Sequence, residues 1–165
     1  MPIQIIEAPI TGHESLGELR EPVQALAQFY RAFNGRDLAL MEENWEASET
    51  VAMDNPLGGI KRGWPEIRWV YERVFRGTGR VQVEFHDYTL HVVGEVFYAV
   101  GRERGTFERN GIRLDLAIRT SRIFRRLDGR WRQVHHHGSI DDPQLLNAYQ
   151  EAVSGARRPS KGAGP

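Results

Sequence analysis

Between residues 119 and 139 the chain reads RTSRIFRRLDGRWRQVHHHGS, which brings six arginines and three consecutive histidines into one short region. Arginine offers a planar fork of donors to an anion or a polarised carbonyl, and histidine carries a proton near neutral pH. Direction decides what these residues can do. Leu114, Leu116, Ile118 and Phe124 share one parity with Arg122, whereas Arg113, Asp115, Arg119, Ser121 and Arg125 share the other. On the preceding segment Val96, Tyr98 and Val100 share parity with Arg102 and Arg104. Alternation therefore sends Arg122 and Arg104 toward the core. A guanidinium left unpaired there costs several kcal/mol, so each must meet a carboxylate, reach solvent or line a polar cavity.

Along RWRQVHHHGS, period-two alternation puts Val134, His136 and Gly138 on one face, and Trp131, Gln133, His135 and His137 on the other. His136 is the candidate for a cavity, with Val134 beside it. His135 and His137 at i and i+2 could both ligate a metal, but a third ligand is needed, and His86 or His91 is placed there by nothing in the spacing. The reading adopted is no metal and no cofactor, with Trp131, His135 and His137 on an outer face suited to an interface. The histidines are native rather than a tag, since a strand, an Asp128-Gly129 turn and a second strand surround them.

These residues need a frame. Val23, Leu26, Phe29, Tyr30 and Phe33 recur at spacings of three and four and predict a helix from about 21 to 34. Asp37 caps a second, short helix with Leu38, Met41 and Trp45 inward. Residues 50–53 read as a short strand, and DNPLGGIKRG after them reads as a loop. A third helix starts at Trp64-Pro65 and buries Ile67, Val70, Tyr71 and Val74, with Trp64 or Trp69 flanking it. The period then changes to two for four long strands, about 81–92, 95–108, 112–126 and 130–139, joined at Gly94, Asn110-Gly111 and Asp128-Gly129. Asp141-Asp142-Pro143 opens a last helix with Leu145, Leu146 and Tyr149 inward. Helices followed by an antiparallel sheet define an α+β domain over residues 15–152, between a flexible segment at 1–14 and a disordered tail at 153–165.

The composition bounds the partners. With 165 residues, 40% of them hydrophobic, the chain supports one domain. The 22 basic and 22 acidic side chains cancel, so no net field draws in nucleic acid or an anionic membrane. Cysteine is absent, which excludes a disulfide framework, a thiol nucleophile and thiolate zinc sites. The first residues show neither a leader pattern nor a spanning run, and a cytoplasmic protein is expected.

YRAFNGRD, the loop DNPLGGIKRGWPEI, and LHVVG followed by RTSRIFRRLDGRWRQVHHHGS resemble the SnoaL-like branch of the nuclear transport factor 2-like superfamily. Ketosteroid isomerases and the association domain of calmodulin-dependent kinases are relatives. The resemblance, over residues 20–145, implies a cone: a strongly curved antiparallel sheet wrapped around the first and third helices, a pocket at the open end, and a homodimer through the outer sheet face. It implies that Tyr30 lies near the tyrosine that donates to the substrate's oxygen in the isomerases, with Tyr71 supporting it. The isomerases' basic aspartate falls on Asn55, with Asp54 one residue earlier, and Arg122 stands where they place a protonated aspartate. In the kinase domain the arginines matching Arg104 and Arg122 line a cavity, and a third corresponds to Gly138. The expected site is thus Tyr30, Asp54, His136 and Arg122 for chemistry, with Asn55, Trp64, Trp69, Tyr71, Arg104 and Val134 around a small ligand that is anionic or carries a carbonyl. Cofactor-independent isomerase, cyclase or hydratase chemistry is one function this allows. A non-catalytic module for binding a small acid or for assembly is the other.

Overall fold

In the computed structural model, residues 2–155 are described. The first helix, α1, runs Glu21–Gly35 with Pro22 in its first turn, and Arg36 ends it in a left-handed conformation, its N–H returning to Ala32 O and Phe33 O. Asp37 caps α2, Leu38–Asn44, by accepting from the Leu40 amide at 3.0 Å, as its position in the sequence implies. A third helix, α3, spans Trp64–Arg76, and α4, Pro143–Ser154, starts from Asp142, whose side chain takes the Gln144 amide.

Among the described residues, six strands follow the order β2-β1-β6-β5-β4-β3 in one sheet. They are β1 Ala52–Asp54, β2 Ile60–Arg62, β3 Arg80–Val93, β4 Val96–Arg109, β5 Ile112–Leu127 and β6 Arg130–Ser139. The four long strands are antiparallel neighbours, as their tight turns require: Asn110-Gly111 and Asp128-Gly129 both carry two successive positive φ angles. The short β1 joins β6 in parallel, and β2, inside what reads as a loop, turns back on β1. Three residues show too little alternation to announce a strand.

One sheet face is buried against the helices. Because α1 touches both β3 and β6, three places apart in the sheet, the sheet curls around it. Close approach of backbones helps the bend: a Cβ on Gly105 would fall 1.8 Å from Gln82 O, so β4 takes no side chain there.

Of residues 2–14, set apart by the sequence as a flexible segment, Ile6 and Ile10 pair with β3 and Thr11 and Gly12 bond to α1. The Ile6 amide donates to Tyr88 O, Ile10 and Phe85 exchange backbone bonds, Ile10 is buried, and Arg31 Nε donates to Gly12 O at 2.8 Å. At the other end, Val153 and Ser154 belong to α4, and the remainder of the expected tail, 156–165, lies outside the described residues. No helix among those described is long and apolar enough to cross a membrane.

Two face assignments differ from simple alternation. In β4 the buried residues are Phe97, Ala99, Glu103 and Phe107, so Val96, Tyr98, Val100, Arg102 and Arg104 point outward. Both parities of β4 begin with apolar residues, and pairing decides between them: Ala99 lies opposite Arg122, and Phe97 opposite Phe124. In β6 the pairing with β5 jumps from Ile123↔His135 to Phe124↔Gln133, which makes Val134 an extra, bulged residue. Gln133 is therefore buried with His136, and Trp131, expected outside, packs edge-on against the core ring Phe97.

Candidate functional site

A cavity of about 480 Å³ opens between α1, α3, α4 and the buried sheet face. Its walls are apolar, with Phe33 on α1, Val70 and Val74 on α3, and Val83, Phe107 and Ile118 on the strands. The buried polar groups Glu103, Arg122 and His136 gather at its inner end.

There Arg122, 1% exposed, directs Nη2 to Glu103 Oε1 at 2.7 Å, Nη1 to Gln133 Oε1 at 2.8 Å and Nε to the Tyr30 hydroxyl at 3.2 Å. Tyr30 in turn donates to Glu103 Oε1 at 2.8 Å, and the guanidinium lies 3.5 Å from the centroid of the Phe29 ring. Desolvating two ions costs several kcal/mol each, and this set of bonds is what offsets it. Burial alone would depress the arginine's pKa, but Tyr30 and Glu103 outweigh it and the net shift is upward. Burial raises the Tyr30 hydroxyl well above its ordinary value and lifts Tyr71, on the cavity wall, to about 12.

His136 enters the same end from β6. Its ring is buried, Nδ1 has no hydrogen-bond partner, and burial together with the Arg122 charge holds the imidazole well below its usual pKa. It is neutral at pH 7.

Lys61, Trp69 and Arg73 stand at the mouth, the Arg73 guanidinium 4.5 Å from the Trp69 ring centroid. The last helix crosses beside them. Gln150 Nε2 donates to Leu57 O at 2.9 Å, Arg109 donates to the Val153 carbonyl, and Tyr149 packs on Phe107 and lines the cavity. Asn55 also lines it and folds its own loop by accepting from the Leu57 amide.

Of the residues picked out by the sequence, Arg122, His136, Tyr71, Asn55 and Trp69 meet at this cavity. Tyr30 stands behind it as a partner of Arg122 and Glu103. Four others lie elsewhere. Arg104, expected inward, points out and pairs with Asp87 at 2.5 Å, because β4 presents its other parity to the core. Asp54 lies on the outer face with His137, because Met53 takes the inward position of β1. Trp64 is buried against Trp45, and Val134 is the bulge. Two further residues are central: Glu103, which passed unremarked, and Gln133, which alternation had placed on the outer face and the bulge turns inward. Glu103 sits between two arginines in GRERG, which resembles a solvated charge run; only the demand of a buried Arg122 for a carboxylate marks it.

Among the described residues, four α-helices against a curled mixed sheet, with a polar-ended cavity between them, define an α+β domain of the nuclear transport factor 2-like, cystatin-like kind. The chain belongs to the SnoaL-like domain family, whose model matches residues 23–143. Among solved structures it is similar to an NTF2-like family protein from Streptomyces avermitilis, provisionally named a dehydratase. That pair shows a TM-score of 0.66 and 20% identity, over 72% of this chain and 92% of that one. It is also similar to a protein from Thiobacillus denitrificans, provisionally named a calcium/calmodulin-dependent protein kinase type II association domain, with TM-score 0.61 and 24% identity over 75% of this chain and 98% of that one. The association domain of the Caenorhabditis elegans kinase aligns at TM-score 0.58 and 20% identity, over 72% of this chain and 92% of that one. At these identities the likeness is one of fold. No protein of curated function matches the chain.

Proposed function

We propose that the cone binds a small, largely apolar organic molecule bearing a carbonyl or hydroxyl group and moves a proton on it without a cofactor, in an isomerisation or dehydration. One observation carries this reading: a buried imidazole and a buried arginine share the inner end of a cavity whose walls are mainly apolar. His136 is the proton carrier. Arg122 meets negative charge developing on the ligand oxygen, since its three bonds use three of five guanidinium N–H donors. Glu103 and Tyr30 position Arg122. With Glu103 neutralising the arginine, the inner end suits a carbonyl better than a free carboxylate, whereas Lys61 and Arg73 favour an acidic substituent at the mouth. The dehydratase naming of the Streptomyces neighbour is consistent with this chemistry.

The test is a thermal-shift panel of enones, hydroxyketones, phenols and small carboxylates. A ligand at a hundred times its dissociation constant adds about 2.7 kcal/mol, which for this length raises the melting temperature by roughly 5 to 11 °C. A bound carbonyl compound should then exchange its α-hydrogen for deuterium with wild type and not with His136→Ala, followed by proton NMR. No shift from any class, or equal exchange by the variant, would sink the reading.

A second reading is an assembly module. Val96, Tyr98 and Val100 form an exposed row on the outer sheet face, 39, 38 and 44% accessible, which suits pairing with a second copy of the chain. The two functions are compatible, since they use opposite faces.

A further inference from the structure

The parallel pairing of β1 with β6 sets Ala52 beside His135, Met53 beside His136 and Asp54 beside His137. Met53 and His136 line the cavity, so Asp54, His135 and His137 share the opposite face. One ligand atom from each of these three lies within 4.8 Å of the others. Asp54 Oδ2 is 2.8 Å from His137 Nδ1, a hydrogen bond; a side-chain shift of about 0.5 Å brings the pair to the roughly 3.3 Å that separates donors around a tetrahedral zinc. His135 Nδ1 is 3.0 Å from Ala52 O, so a proton there is held by a backbone carbonyl. That bond orients the ring and leaves the lone pair on Nε2, as second-shell carbonyls do for metal-bound imidazoles.

We propose that Asp54, His135 and His137 bind one divalent first-row transition ion, Zn²⁺ being the reference case. Two imidazoles and a carboxylate are a donor set that zinc and its neighbours accept, while calcium and magnesium favour oxygen alone. The ion takes the place of the hydrogen between Asp54 and His137, and in the metal-bound form the ring's one proton is on Nε2. With the His137 side chain 51% and that of Asp54 31% accessible, the remaining coordination positions are open to water or an external donor. The ion also ties three-residue β1 to β6 by side chains as well as by backbone.

The experiment uses untagged protein stripped with EDTA and dialysed, then titrated calorimetrically with Zn²⁺ and, in parallel, with Co²⁺ followed by visible absorption. Expected is one ion per chain at micromolar or tighter affinity. Asp54→Asn and His137→Ala should each weaken it at least about a hundredfold, more than the loss of an outer-shell partner usually does. His91→Ala, on another strand, should leave it unchanged. Ring ¹H–¹⁵N spectra of wild type supply a readout that needs no variant: zinc should shift the His135 and His137 nitrogens. Binding weaker than millimolar, equal weakening by His91→Ala, or zinc shifts confined to other histidines would overturn the proposal.

Discussion

Arg122 and Glu103 form their ion pair from adjacent strands without being paired positions: Arg122 lies opposite Ala99, and Glu103 opposite Ile118. The two side chains reach toward each other along the sheet to meet at 2.7 Å. Their contact depends on length as much as on charge.

Removing one member should therefore cost far more than removing both. Glu103→Leu leaves a buried guanidinium with an unmatched charge and is expected to destabilise the fold by about 3–5 kcal/mol. Arg122→Leu leaves the carboxylate, with a similar loss. The double variant should lie closer to wild type than either single one, and urea unfolding of all four proteins measures the coupling. Additive losses would show that the pair is not the unit described.

Glu46 supplies one assignable pH dependence. Its buried carboxylate accepts from Arg125 Nε and Nη2 at 2.5 and 2.6 Å, and that bond chiefly holds its pKa below the ordinary value. A depressed folded-state value means the contribution is complete above the unfolded glutamate pKa, about 4.3, and is lost as pH falls through the lower folded value. The difference in unfolding free energy between wild type and Glu46→Gln should be constant from pH 7 to about 5, and should shrink below about 4. A difference that grows on acidification would contradict this assignment.

The outer row can be tested by charge. Tyr98, whose ring stacks on His91 with centroids 4.4 Å apart, is central to it. If this face joins two copies, sedimentation equilibrium should show a dimer for wild type and a monomer for Tyr98→Glu, with the melting temperature little changed at low protein concentration. A monomeric wild type at tens of micromolar would remove the assembly reading.

Apart from β2, the main elements were legible because each announces itself locally. Pro22 and Pro65 open helices, Asp37 and Asp142 cap them, and the Asn-Gly and Asp-Gly pairs close hairpins. The inward direction of Arg122 and His136 was legible for the same reason, although for His136 one-residue alternation and the Val134 bulge happen to agree. What escaped was relational. Nothing within VFYAVGRERG says which parity faces the core when both carry apolar residues, so Arg104 was turned inward and Glu103 overlooked. Asp54 was read as a base at the cavity because the resemblance set it near one, whereas the β1–β6 register turns it outward. A bulge and a parallel partner are properties of two strands together, and neither strand alone contains them.

The short segment from Ile6 to Ile10 has a practical consequence. It occupies backbone groups on the free side of β3, the last strand of the sheet and 14 residues long. A chain trimmed to begin at residue 15 would bare that edge together with the apolar surface Ile10 covers. Such a protein would keep every residue of the cavity and still be prone to precipitate, because an uncovered strand of that length invites another strand to pair with it.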